Sequence, residues 1–295
     1  MNLIAQWLTR IGLLPVRALG RLPPGLARSL TRPLAWPMRK LMRRRREIAR
    51  SNLRLCFPEW SEQQRELVLR DHFRQLAESL AEFAQAWQRP GRFGERDGQL
   101  VGLEHLTAAR ANGRGVLLIT GHVTCLETAA RLFAEQVPSA GIYRPLRNAV
   151  LNEFQNRGRQ RYAERMIARD DVRAMVRYLR DGGVLWYAPD QDFGIQRSEF
   201  APFFGIQTAT ARGILDLARM GRAAVVPMYP VKNEHDGRVT VHLEPAFDEF
   251  PGPDPVADLA RFNQFLERRI RQAPSQYWWL HRRFKTRPPG EPSPY

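Results

Sequence analysis

GVLLITGHVTCLE, residues Gly115 to Glu127, opens with a run of apolar and β-branched side chains. Such a run, ending in Thr-Gly and followed by a segment of helical character, is how α/β proteins bring a reactive side chain to the carboxyl edge of a sheet. Val116 to Thr120 reads as a buried strand and Gly121 as the turn, so that His122 and Glu127 arrive where a helix begins. The chemistry is expected at that edge.

His122 and Glu127 are five residues apart, so on one regular helix they would diverge by roughly 140° and rise about 7.5 Å. They meet only if His122 precedes the first turn. Thr124 and Glu127 have the form of a capping box, which starts the helix at Thr124 and leaves His122 on the non-helical approach. Two readings stand side by side. One is a turn histidine and a capping carboxylate; the other is a general base with Glu127 fixing its tautomer and stabilising the imidazolium.

On the N-terminal side, Glu104 to Asn112 reads as a helix stopped by Asn-Gly, and Pro90 to Gly98 as a loop. Ser61 with Gln64 caps a helix running to about Gln88, whose stripe of Leu67, Phe73, Leu76, Leu80, Phe83 and Trp87 is assigned to the core. On the C-terminal side, a strand from Ala140 to Tyr143 ends at a proline and leaves Arg144 at the same sheet edge as His122. The next helix, Asn148 to Arg161, carries Arg157, Arg159 and Arg161 near its end. These are either favourable charge at a helix C-terminus or a fork for phosphate and carbonyl groups.

Asp171 to Asp181 reads as a helix, and Val184 to Ala188 as a buried strand that delivers Asp190 and Asp192 on a polar turn. No third carboxylate follows at a metal-binding spacing, so the pair is read as holding the site arginines and the acceptor, with no metal. Phe200 to Gly205 is an aromatic loop that either covers a ligand or plugs the core. Thr210 to Met220 (helix), Ala223 to Pro230 and Val239 to Leu243 (strands), and Asp254 to Gln272 (helix) complete the pattern. The fold class is α/β, a central mixed sheet flanked by helices.

A formal charge of +16 and a pI near 11.0 call for an anionic partner without choosing among nucleic acid, anionic membrane, acidic protein and phosphorylated substrate. Cys56 and Cys125 provide neither a disulfide framework nor a metal-ligand spacing. In the first 41 residues Arg10, Arg17, Arg21, Arg28, Arg32 and Arg39 alternate gaps of seven and four, which puts them within about 60° of each other on a helix. Pro15, Pro23, Pro24, Pro33 and Pro37 break that helix, so residues 1–45 are expected to form short helices lying on a membrane, or else packed on the protein's own body. Residues 46–295 are expected to form one domain, helical over 46–90 and sheet-containing over 99–295. Tyr277 to Lys285, aromatics running into arginines, reads by composition as a membrane-interface belt or a stacking platform, or else as a structural closure beside the acceptor site.

His-x-x-x-x-Glu after an apolar strand resembles the His-x4-Asp/Glu motif of glycerolipid-type acyltransferases. The ordered set RRRREIARSNLRLCFPEWS, YRPLRN, NRGRQR, APDQDFG, FAPFFG and WWLHRRFKTRP resembles the bacterial lipid A secondary (lauroyl/myristoyl) acyltransferases over most of the chain. The resemblance implies transfer of a medium-chain acyl group, lauroyl, from acyl carrier protein to the 3-hydroxyl of an acyl chain on a phosphorylated glucosamine disaccharide. It further implies His122 and Glu127 as catalytic, Arg144, Arg159, Asp190 and Asp192 as substrate-binding, no cofactor, and the cytoplasmic face of a Gram-negative inner membrane. No Gly-x-Ser-x-Gly elbow is present, so direct transfer without an acyl-enzyme is expected. The alternatives are an acyltransferase acting on another glycolipid, such as a mannosylated inositol lipid, and a basic nucleic-acid-binding protein, which leaves His122 and Glu127 without a role.

Overall fold

A computed structural model describes residues 3–295. Nine strands are present among these residues: β1 (Gly98–Val101), β2 (Val116–Ile119), β3 (Ala140–Tyr143), β4 (Arg165–Ala168), β5 (Val184–Tyr187), β6 (Ser198–Phe203), β7 (Ile206–Ala211), β8 (Ala224–Lys232) and β9 (Val239–Leu243). Seven form one sheet in the order β1-β9-β8-β2-β5-β3-β4. All its pairs are parallel except β8 with β9, so the sheet is mixed, as expected. β2 lies at its centre with every side chain buried, which is why its sequence is a continuous apolar run and not an alternating one.

The helices of the sheet-containing part are α7 (Leu103–Ala109), α8 (Leu126–Ala134), α9 (Ala149–Arg159), α10 (Val172–Arg180), α11 (Gly213–Gly221) and α12 (Pro255–Gln272). Before them run α1 (Leu3–Gly12), α2 (Leu14–Leu19), α3 (Pro24–Thr31), α4 (Ala35–Leu41), α5 (Arg43–Cys56) and α6 (Glu62–Gln88). Ser61 caps α6 through the full capping box with Gln64. Its buried residues wrap more of the helix than one stripe: Leu69, Phe73, Leu76, Ala77, Ala81 and Ala84 are covered, while Leu67 and Leu80 are exposed. The cause is that α2 to α5 pack on one side of α6 and α8 and α9 on another. The glycine of NRGRQR serves this contact, since a Cβ at Gly158 would lie 2.5 Å from Trp87 Cβ.

The prolines divide the N-terminal segment into short helices, Pro15 and Pro24 sitting in first turns where no backbone N–H is missed. Three rungs of the arginine ladder face the body: Arg28 donates to the Asp236 carbonyl, Arg32 lies 3.7 Å from Glu78, and Arg39 pairs with Glu66. The apolar side chains Trp7, Leu8, Ile11, Leu14, Leu26, Leu30, Leu34 and Trp36 are exposed instead. No helix among the described residues is long and apolar enough to cross a membrane.

Three expectations are corrected. Phe200 to Gly205 is not a loop: it lies mostly in the antiparallel hairpin of β6 and β7, with Phe203 fully buried against Phe284. Tyr277, Trp279, Leu280, Arg283 and Phe284 are buried, so this segment is core and not an interface belt, and only Trp278 reaches the cavity described below. Thr210 belongs to β7, and α11 begins after it, because its hydroxyl and that of Thr208 are held within the hairpin.

Candidate active site

The carboxyl ends of β2, β3 and β5 converge on His122. Its backbone is clamped from both sides: the amide donates to Asp190 Oδ2 at 2.8 Å and the carbonyl accepts from the Trp278 amide at 2.9 Å. Val123 bridges Tyr277, and Thr124 donates to the Gln276 carbonyl at 2.9 Å. The C-terminal aromatic segment thus fixes the turn that carries the histidine. The helix that follows starts at Leu126 with Cys125 as its N-cap and no side-chain cap. The Thr124–Glu127 capping box is therefore not formed; the Thr124 hydroxyl is buried without a partner among the described residues, and Glu127 is drawn elsewhere.

His122 Nδ1 lies 2.5 Å from Asp190 Oδ1, and Asp190 is 2% exposed. With Nδ1 donating to the carboxylate, Nε2 is left as the basic nitrogen. Burial works against the charged imidazole, but the Asp190 charge and hydrogen bond outweigh it and raise the His122 pKa above its ordinary value. Burial likewise opposes the Asp190 carboxylate, and the imidazole beside it brings its pKa below the usual range. The pair has the geometry of a base and its orienter.

Glu127 makes no hydrogen bond to His122 among the described residues. It is held by Arg159 in a two-pronged pair, by Trp87 Nε1 at 2.7 Å and by the Tyr162 hydroxyl at 3.2 Å. Five residues on, in the first turn of α8, its carboxylate faces α6 and α9, so the orienting contact expected of it is made by Asp190. Burial opposes the Arg159 charge, yet Glu127 more than compensates and holds the guanidinium firmly charged. Arg144 is exposed at the cavity rim with no partner among the described residues, and Arg157 points away to Glu153. Asp192 is brought to the same turn, but its oxygens accept from the Gly194 amide and from the Thr286 amide and hydroxyl. It staples the C-terminal segment to the turn; among the described residues neither aspartate bonds an arginine.

A cavity of about 440 Å³ opens at His122, Glu127 and Arg159 and runs between α8 and α9 and the sheet. Its walls are Leu126, Ala130 and Ala134 of α8, then Gly141 and Ile142 of β3, Met166 of β4 and Trp186 of β5. Trp87 and Tyr162 were not singled out as site residues. Trp87 was legible only as the end of an apolar stripe, and Tyr162 only as the residue just beyond NRGRQR. A reactive imidazole–carboxylate pair at the mouth of an apolar cavity with a guanidinium beside it is a fit for an acyl group and a hydroxyl acceptor.

The sequence model of the family described as bacterial lipid A biosynthesis acyltransferase matches residues 1–286. The chain belongs to that family. The lipid A biosynthesis lauroyltransferase of Escherichia coli K12 is 39% identical over 299 residues, covering 98% of this chain and 95% of that protein. The lipid A biosynthesis palmitoleoyltransferase of the same organism is 36% identical over 290 residues, covering 98% and 94%. Among solved structures, the 1-acyl-sn-glycerophosphate acyltransferase PlsC of Thermotoga maritima is similar with a TM-score of 0.40 and 13% identity, covering 84% of this chain and 97% of that one. That likeness is too slight to carry an inference. As a member of this family the protein is a lipid A acyltransferase, and two relatives of nearly equal identity that carry different chains leave its own chain open.

Proposed function

We propose that this lipid A acyltransferase moves a lauroyl group from acyl carrier protein to the 3-hydroxyl of an acyl chain on a phosphorylated glucosamine disaccharide. His122 Nε2 takes the proton of the acceptor hydroxyl as its oxygen attacks the thioester carbonyl, and Asp190 holds the tautomer and the imidazolium. The tetrahedral intermediate expels the thiolate, which receives the proton from His122; no serine intervenes. The uncapped start of α8 supplies amide donors for the oxyanion. Arg144, exposed at the rim and unpaired among the described residues, meets the acceptor's phosphate or carbonyl groups, while Glu127 and Arg159 brace the wall between α8 and α9.

The observation that carries this reading is the His122–Asp190 pair at the mouth of an apolar cavity. The exposed apolar face of α1 to α4, with a net charge of +16, supports seating on the anionic cytoplasmic leaflet of a Gram-negative inner membrane. The same basic surface suits an acidic carrier protein. Transfer of labelled lauroyl from its carrier protein to a tetra-acylated lipid A precursor tests the proposal. Wild type is expected to acylate, and His122→Ala and Asp190→Asn to lose about 10²-fold or more while remaining folded. Full activity in His122→Ala would overturn the assignment of the base.

A further inference from the structure

We infer that the cavity is a ruler for the transferred acyl chain, with Gly141 keeping its passage open and Ala134 setting its end. This rests on the proposed acyl transfer. β2 runs towards His122, α8 returns and β3 runs forward again, so the C-terminal end of α8 and the start of β3 meet at the edge opposite the histidine. The cavity follows both elements, from Leu126 to Ala134 on α8 and from Tyr143 back to Ser139 on the strand. Eight helical steps make about 12 Å and four strand steps about 13 Å. A fully trans chain advances about 3.8 Å per three bonds, so this path holds roughly ten bonds, within one methylene of the span of a twelve-carbon acyl group.

The passage exists because one side chain is missing. Gly141 is paired with Met166 of β4 on one side and Trp186 of β5 on the other, so the three share one face of the sheet. That is the face on which α8 lies, since Trp186 packs edge-on against Phe133. A Cβ at Gly141 would lie 3.2 Å from Met166 Cε and 3.3 Å from its sulfur, so a side chain there both occupies the passage and makes the methionine end, itself part of the wall, give by a few tenths of an ångström. Across from it, α8 presents Ala130 and then Ala134 at the next turn, both small and both part of the wall. Ala134 and Ser139 stand at the far end, where a terminal methyl would stop.

The test is a donor series of eight- to sixteen-carbon acyl groups on carrier protein, scored as the ratio of kcat/KM values within each variant. Ala134→Leu is expected to move the optimum down from twelve carbons and to lower the twelve-to-ten ratio about ten-fold. Gly141→Ala should penalise twelve carbons against eight by a similar factor, and adding Met166→Ala should restore the ratio, because the space that the methionine end vacates offsets the added methyl. If Gly141→Ala folds poorly, the Ala134→Leu ratio decides. Quenching of tryptophan fluorescence by free fatty acids of graded length, measured in His122→Ala, reads the same preference without turnover. Unchanged ratios and unchanged fatty-acid preference in active variants would overturn the ruler. Absence of transfer by wild type with every donor would instead overturn the proposed reaction, leaving the fatty-acid profile to judge the cavity.

Discussion

His122 Nδ1 faces Asp190 Oδ1 at 2.5 Å, and the two residues stand 68 positions apart at the ends of neighbouring parallel strands. A base that must be neutral to work, and whose pKa is raised by that carboxylate, gives kcat/KM an acid limb centred above 6.5. Activity falls as pH drops through the limb. Asp190→Asn is expected to move it to lower pH and to cut the plateau about 10²-fold or more. A pH–rate profile of both proteins checks this, and an unmoved limb would assign the orienting role elsewhere.

Glu127 has a different expected signature. Removing its carboxylate leaves the largely buried Arg159 without its partner, so Glu127→Ala should lose about 3 kcal/mol of stability in a urea titration. Glu127→Gln keeps an acceptor for Trp87 and Tyr162 and should lose less. Because Glu127 does not touch the imidazole, the acid limb of Glu127→Gln should coincide with that of wild type even where its rate is reduced.

His72 on α6 is buried, donates through Nδ1 to the Ser275 carbonyl at 2.9 Å and leaves Nε2 unpartnered among the described residues. Burial dominates and brings its pKa down to about 4, against 6.5 when unfolded. The unfolded chain therefore binds the proton first as pH falls. Stability is full above 6.5 and is lost between 6.5 and 4, at up to about 1.4 kcal/mol per pH unit. Urea midpoints from pH 7.5 to 4.5 should show the slope, and His72→Asn should flatten it. His122 acts in the opposite sense: its share is complete below 6.5 and fades as pH rises through its raised value.

Trp7 and Trp36 are 63% and 69% exposed. Replacing both by alanine should weaken binding to anionic vesicles about ten-fold or more, with little change in the urea midpoint, since neither side chain is buried by the fold. Co-sedimentation with vesicles measures it. Equal binding by the double variant would remove these helices from the membrane contact.

What was legible in the sequence was what neighbours along the chain decide. The apolar runs marked β2, β3 and β9, and Ser61, Asn148, Asp171 and Asp254 each announced a helix and cap one. His122 was legible because a strand, a glycine and a helix start leave few places for the side chain to go. Its partner was not. Asp190 comes from another strand, and only sheet order brings it beside the histidine, whereas Glu127 was attractive for being close in sequence. The β6–β7 hairpin was hidden for a related reason: Pro202 and Gly205 break up the aromatic stretch like a loop, and its strand character shows only once its facing strand is known. For Tyr277 to Lys285 composition alone favoured an interface over the closure that is found, because aromatics and arginines mark interfaces and also close cores when carbonyls such as that of Ala209 accept from the arginine.

Asn148 caps α9, whose Gln155 and Arg159 line the cavity, and its side-chain amide donates to the Thr9 hydroxyl on α1 at 3.2 Å. The helix with Trp7, Leu8 and Ile11 on its outer side is thus moored beside the cavity mouth, where Leu146 is also exposed. On a bilayer, an acceptor lipid would approach by sliding sideways in the leaflet and would not need to be lifted into water. Turnover would then follow the acceptor's mole fraction in the surface and not its bulk concentration, so adding inert detergent at constant acceptor would slow the reaction by dilution in two dimensions.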